Sequence, residues 1–168
     1  KKTKIKKIFP DFGLHGGGWH LMNSKGRLNP HLDYYIHPKT FKMRKFNLII
    51  FLTKNWKKNW GGDLYFYSKN LSKNNMPGKL VTKVYSKFNR AVIFDTSAFS
   101  WHSVSSIKVN RTRKTIAVYY LANVKNKIIK REKALYSPTI KQLNNKKVLN
   151  FIKLRANSKS FKNVYKTR

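Results

Sequence analysis

The chain has 168 residues, no cysteine, 40% hydrophobic and 14% aromatic residues, and a formal charge of +33 from 38 Lys and Arg against five acids. Without cysteine there is no disulfide framework and no thiolate metal site, and so aromatic a composition excludes a disordered polyelectrolyte. One domain with its own buried core is expected.

The five acids are Asp11, Asp33, Asp63, Asp95 and Glu132. A surface of this sign attracts phosphate backbones, anionic membranes or acidic proteins, with affinity that falls as salt rises. Compositional drift towards Lys, Asn, Ile, Phe and Tyr accounts for the lysines better than for the missing acids. No window is apolar enough for a membrane span, and residues 1–9 lack the apolar centre of a signal peptide. A soluble cytoplasmic protein, of a cell or of a virion in its host, is expected, with no membrane partner. The chain starts at Lys1 rather than Met, as a processed or truncated chain would.

In chain order, residues 1–13 form a basic lead-in ending in a Pro10-Asp11-Phe12-Gly13 turn. Gly16-Gly17-Gly18 has no Lys-Ser/Thr at P-loop spacing and does not read as a nucleotide cradle. Trp19 to Asn23 predicts a strand, closed by Ser24-Lys25-Gly26. Next comes Asn29-Pro30-His31-Leu32-Asp33-Tyr34-Tyr35, where alternation on an extended strand turns His31 and Asp33 to one face. His37-Pro38-Lys39-Thr40 reads as a turn that leaves His37 at a rim. Phe46 to Thr53 is a near-continuous apolar strand with Asn47, Ile49 and Phe51 on one face.

Trp56 and Trp60 flank a loop that either caps the core or offers a substrate-stacking surface, before Gly61-Gly62 leads into the Asp63 to Tyr67 strand. Residues 68–79 predict a mobile polar loop. Leu80 to Tyr85 and Ala91 to Phe94 predict two more strands, and an Asp95 to Trp101 turn delivers His102. In the last strand, alternation aligns Arg113, Thr115, Ala117 and Tyr119, with room for a small dicarboxylate beside an arginine whose planar fork suits carboxylate binding. An arginine on that buried face needs a counter-charge. From Lys125 onward the chain is Lys-rich, with Ser137-Pro138 as a helix start and Val148, Leu149, Phe151, Ile152 and Arg155 at helical spacing. This tail is read as packing on the sheet or on a second copy, or else as a nucleic-acid or assembly arm.

The His-x-Asp pair needs a third ligand, and His102, from a strand folded back over the first, supplies one. Two histidines and a carboxylate on one side of a metal leave the opposite positions open, the facial arrangement of non-haem Fe(II) oxygenases.

From about Leu14 to Ala122 these motifs, in this order, resemble the 2-oxoglutarate- and Fe(II)-dependent dioxygenases of the prolyl 4-hydroxylase type. The resemblance rests on His31-Leu32-Asp33, Arg44 to Leu52, Trp56 through Gly61-Gly62-Asp63-Leu64, Phe88 to Phe94, His102 and Arg113 onward. It implies a mainly β, double-stranded β-helix (jelly-roll, cupin-like) core over residues 1–124, and residues 125–168 are then a basic helical extension. It further implies iron held by His31, Asp33 and His102, with Arg113 rather than Arg111 on the distal carboxylate of 2-oxoglutarate. The gap from His102 to Arg113 is slightly longer than in the family's animal members. His20, Phe51 and Thr115 are expected beside the co-substrate, and Arg44, Trp56 and Tyr119 beside the substrate.

The implied reaction hydroxylates an unactivated C–H bond, with release of succinate and CO2 and with ascorbate as a candidate reductant. A peptide or protein side chain such as proline is the leading substrate. A small molecule, sugar or nucleotide in a deeper pocket under the 68–79 loop is the alternative. A third reading is a basic structural or nucleic-acid-associated protein that retains the fold, its metal site vestigial. A cupin-like isomerase would leave Arg113 without a dicarboxylate to answer.

Overall fold

The computed structural model describes residues 7–70, 76–123 and 134–156. Ten strands are found among them: β1 (Ile8–Pro10), β2 (Gly18–Met22), β3 (Leu28–Leu32), β4 (Met43–Phe51), β5 (Leu64–Lys69), β6 (Pro77–Val84), β7 (Arg90–Asp95), β8 (His102–Val104), β9 (Arg113–Ala122) and β10 (Leu135–Tyr136). One α-helix, α1 (Lys146–Ala156), follows, and short 3-10 turns lie at Lys58–Trp60 and Ile140–Gln142. The strands form two five-stranded antiparallel sheets. One runs β1-β9-β4-β7, with β2 also on β9, and the other runs β10-β3-β8-β5-β6. This is the expected jelly-roll-like core.

The two longest strands show why the sheets hold. β4 is rich in residues that favour a pleated, half-buried surface, and Asn47, Ile49 and Phe51 are buried while Leu48 and Ile50 are half-buried. β9 buries Arg113, Thr115, Ala117, Tyr119 and Leu121 in strict alternation. Between the sheets, Ile49, Phe51 and Ala117 meet Leu64 and Val104, with Phe66 and Phe94 edge to face at 5.0 Å beside them.

Four expectations change. Residues 68–69 and 77–79, read as loop, belong to the β5–β6 hairpin, where Lys69 pairs with Pro77; residues 71–75 lie outside the described residues. Ser137-Pro138 does not start an α-helix; only a 3-10 turn, Ile140–Gln142, follows it. Ser137 donates its N–H to the Pro30 carbonyl at 2.8 Å, prolonging the β10–β3 pairing, and α1 starts later, where Asn145 accepts the Val148 N–H through its side chain at 3.1 Å. The tail therefore contributes a strand as well as a helix, and β10 lies directly beside the His31 strand; residues 125–133 and 157–168 lie outside the described residues. Lastly, His37 is not on a rim. It is 3% exposed, with Nε2 3.5 Å from the Asp11 carboxylate.

Candidate metal and co-substrate site

β3 ends at Leu32, so His31 is the strand's penultimate residue and Asp33 the first beyond it, and β8 begins at His102. Antiparallel pairing sets His31 directly opposite His102. One ligand-capable atom from each of His31, Asp33 and His102 lies within 4.8 Å of the others, and all three residues are buried.

Each imidazole is fixed in one tautomer by the backbone. His31 Nδ1 is 2.9 Å from the Asn29 carbonyl and His102 Nδ1 is 2.9 Å from the Ser100 carbonyl. A carbonyl can only accept, so both Nδ1 atoms carry a proton, which leaves Nε2 as the ligand-capable atom of each ring. Those Nε2 atoms face Asp33, at 3.6 Å from His31 and 3.8 Å from His102, beyond hydrogen-bond reach.

Burial, reinforced by His102, pushes the His31 imidazole down to about 3, so it is neutral at physiological pH. Burial alone would raise the Asp33 carboxyl, but His102, His31, the Tyr119 hydroxyl and Arg44 together hold it below its ordinary value. Two imidazoles and one carboxylate, oriented from behind by carbonyls and a hydroxyl, are a donor set that fits a divalent first-row metal.

The same cavity, about 950 Å³, is lined by Arg113, Thr115, Asn47 and Ile49. Arg113 is 3% exposed; its Nε donates to Ser86 Oγ at 3.1 Å and its Nη1 to Thr115 Oγ1 at 3.3 Å. Among the described residues no carboxylate forms a salt bridge with it. Asp63 instead accepts the Ser86 N–H at 3.2 Å. Burial lowers the guanidinium to about 10, still charged at neutral pH. Asp63 acts on it only at a distance, and a buried cation with its hydrogen-bonding fork in a cavity and no salt-bridged carboxylate among the described residues is a fit for a carboxylate ligand. Gly62 makes room for it: a Cβ there would lie 2.7 Å from Arg113 Cδ, and its φ of +73° also suits glycine.

The other candidates divide. His20 and Thr115 line the cavity as expected, and Arg111 is exposed, stacked over Trp60 at 5.2 Å rather than near the site. Phe51 is a correction: it lies outside the cavity wall, in the core, 5.0 Å beneath the Arg113 guanidinium. Trp56 is another, being held by an indole N–H bond of 2.8 Å to the Gly61 carbonyl and absent from the lining. None of the described residues of the 68–79 stretch lines the cavity either.

Arg44 is not at the mouth but fully buried. A bulge at Lys45, between the Arg44–Leu121 and Phe46–Tyr120 pairs, shifts the alternation and turns Arg44 inward. Its guanidinium lies between the rings of Tyr34 and Tyr119, at 3.5 and 3.7 Å from their centres, and donates to the His15 carbonyl and the Tyr34 hydroxyl. Tyr119 does line the cavity, yet its hydroxyl bonds to Asp33, so it braces a ligand-capable carboxylate.

Sequence reasoning missed Tyr34, Tyr136 and Arg155. Tyr136 stacks on the His31 ring at 5.1 Å and 17°, and Arg155 lies over Tyr136 at 4.6 Å; both line the cavity. The available signal was the Leu135-Tyr136 pair, a β-favouring dipeptide inside a lysine-rich tail.

Residues 17–121 match the model of the 2OG-Fe(II) oxygenase superfamily. The chain belongs to that superfamily. This family member is 32% identical over 71 residues to the prolyl 3-hydroxylase OGFOD1 of Xenopus laevis, a match covering 42% of this chain and 14% of that protein. Among solved structures it is similar to a prolyl-4-hydroxylase of Pseudomonas putida, with 15% identity, TM-score 0.49, and 74% and 56% of the two chains covered. A second is a structure from work on prolyl 4-hydroxylases of Phytophthora capsici, with 18% identity, TM-score 0.49, and 83% and 41% covered. The oxygenase chain thus spans 14% of the length of its curated relative.

Proposed function

We propose that this chain is a 2-oxoglutarate- and Fe(II)-dependent dioxygenase that hydroxylates an unactivated C–H bond of a protein side chain, with proline the leading target. One observation carries the reading: ligand-capable atoms of two imidazoles and the Asp33 carboxylate converge in the cavity that also holds the Arg113 guanidinium. The superfamily's name supports Fe(II) and 2-oxoglutarate as the groups involved, and the prolyl 3-hydroxylase relative supports a protein substrate.

The iron with its co-substrate, when bound, supplies oxidising power that side chains lack. In this reading His31, Asp33 and His102 hold the metal from one side, leaving positions free for ligands from the cavity. The Asn29 and Ser100 carbonyls keep both imidazoles in the binding tautomer. Tyr119 holds Asp33 through its hydroxyl, and Arg44 between Tyr34 and Tyr119 keeps that ring in place. Arg113, aimed by Ser86 and Thr115, binds the far carboxylate of 2-oxoglutarate. Ile49, Leu64 and Val104 supply an apolar wall that limits water. Overall, one oxygen atom of O2 enters the substrate and the other enters succinate, with loss of CO2.

The test is an anaerobic titration with Fe(II) and then 2-oxoglutarate, followed by aerobic peptide assays with and without ascorbate. A metal-to-ligand charge-transfer band, lost in Asp33→Ala, and peptide-stimulated succinate release are the expected results. A folded protein without the band overturns the reading.

A further inference from the structure

Among the described residues, β2 is an apolar strand with no strand paired on one side. Its sequence, Gly-Trp-His-Leu-Met, contains no charged residue in a chain with 38 Lys and Arg. It pairs with β9 in regular register from Gly18–Ala117 to Met22–Arg113, and among the described residues it pairs with no other strand. Soluble proteins protect such edges with charges, proline or bulges, and β2 has none of these. Trp19 and Leu21 are 66% and 65% exposed, and Phe41, across the same opening, is 73% exposed. All three line the cavity that contains His31, Asp33 and His102.

The charge around this edge has one sign. Lys25, three residues beyond β2, and Lys114, opposite Leu21, are exposed, as is Lys39 two residues before Phe41. Of the four acids among the described residues, Asp11, Asp33 and Asp63 are buried, and Asp95 is paired with Lys45. The described surface therefore presents a partner with cations and no unpaired carboxylate.

We infer that β2 is the docking strand for the substrate, and that the substrate is an acidic segment of polypeptide. The segment lies extended along β2, exchanging N–H and C=O groups with its free edge. Its apolar side chains rest on Trp19, Leu21 and Phe41, its carboxylates face the flanking lysines, and the residue to be oxidised enters the cavity beside the edge. A phosphodiester backbone has no donors to match a strand edge, which favours a peptide over a nucleic acid. The inference rests on the protein-hydroxylase reading and specifies what that protein looks like.

The experiment uses the full chain with Fe(II) and 2-oxoglutarate under anaerobic conditions and two peptides with a central proline. In one the proline is flanked by Asp and Glu, in the other by Asn and Gln. The acidic peptide is expected to bind about tenfold tighter at low salt, with the difference shrinking as salt is added. Hydrogen exchange at the amides of residues 18–22 should slow when it binds, and Leu21→Asp should weaken it by about tenfold through like-charge repulsion. Equal affinity for the two peptides, or protection elsewhere with Leu21→Asp without effect, overturns the inference. So does single-stranded RNA displacing the acidic peptide and protecting the same amides more strongly. The charge-transfer band is read in the same samples: band present without charge-dependent peptide binding defeats the docking inference alone, whereas a missing band defeats the oxygenase reading beneath it.

Discussion

The guanidinium carbon of Arg44 lies 3.7 Å from the centre of the Tyr119 ring, whose hydroxyl bonds to the Asp33 carboxylate. A buried cation, an aromatic ring and a ligand-capable carboxylate thus stand in line, with Tyr34 closing the far face of the guanidinium at 3.5 Å. Tyr119→Phe keeps the ring and removes the hydroxyl. Fe(II) affinity should fall by about tenfold or more, as for other groups that orient metal ligands, while the thermal midpoint changes little. Calorimetric Fe(II) titration checks the first and a melting curve the second. Arg44→Ala removes the stacked cation itself and should cost on the order of 3 kcal/mol in urea denaturation.

Arg113 is expected to control co-substrate affinity rather than metal affinity. Losing its charge-assisted bonds, worth about 1.5–3 kcal/mol, should raise the 2-oxoglutarate requirement of Arg113→Ala roughly 10- to 100-fold, read from the charge-transfer band. Lysine at this position should recover only part of it, having no planar fork. Gly62→Ala should resemble Arg113→Ala, because the new methyl meets Arg113 Cδ.

The metal-free protein should lose stability in acid. His31 titrates near 3 when folded and near 6.5 when unfolded, so the unfolded chain binds the extra proton between those values. Stability from this residue is fully present above about pH 6.5 and is lost as pH falls towards 3, an effect of at most about 5 kcal/mol. Asp33, also depressed in the fold, adds loss in the same direction as its carboxyl protonates. Urea denaturation of metal-free protein between pH 7 and pH 4 reads the slope, and His31→Gln should flatten it.

Tyr136 should support the site from the C-terminal side. Tyr136→Ala removes a ring stacked on His31 at 5.1 Å and should lower stability by about 1–3 kcal/mol. A weaker iron complex in a variant that still melts cooperatively would show that β10 braces the His31 strand. Unchanged Fe(II) affinity would limit Tyr136 to a packing role.

What the sequence determined by itself is what depends on local period and residue chemistry. Alternation put Arg113, Thr115, Ala117 and Tyr119 on one face of β9 and Asn47, Ile49 and Phe51 on one face of β4, because a strand's period of two is a property of the backbone. The His31-x-Asp33 pair and a later histidine sufficed to name the ligand-capable cluster, since few residue types can serve a metal.

What only the tertiary structure decided is everything that turns on register and long-range pairing. A single-residue bulge at Lys45 turns Arg44 into the core, and a bulge has no local signature in Met-Arg-Lys-Phe. Pairing of β10 with β3 brings Tyr136 onto His31 across a hundred residues of chain, and Phe51 and Trp56 pack away from the cavity. Such contacts are set by which strands meet and at what offset, and a shift of one residue in that offset exchanges the two faces of a strand.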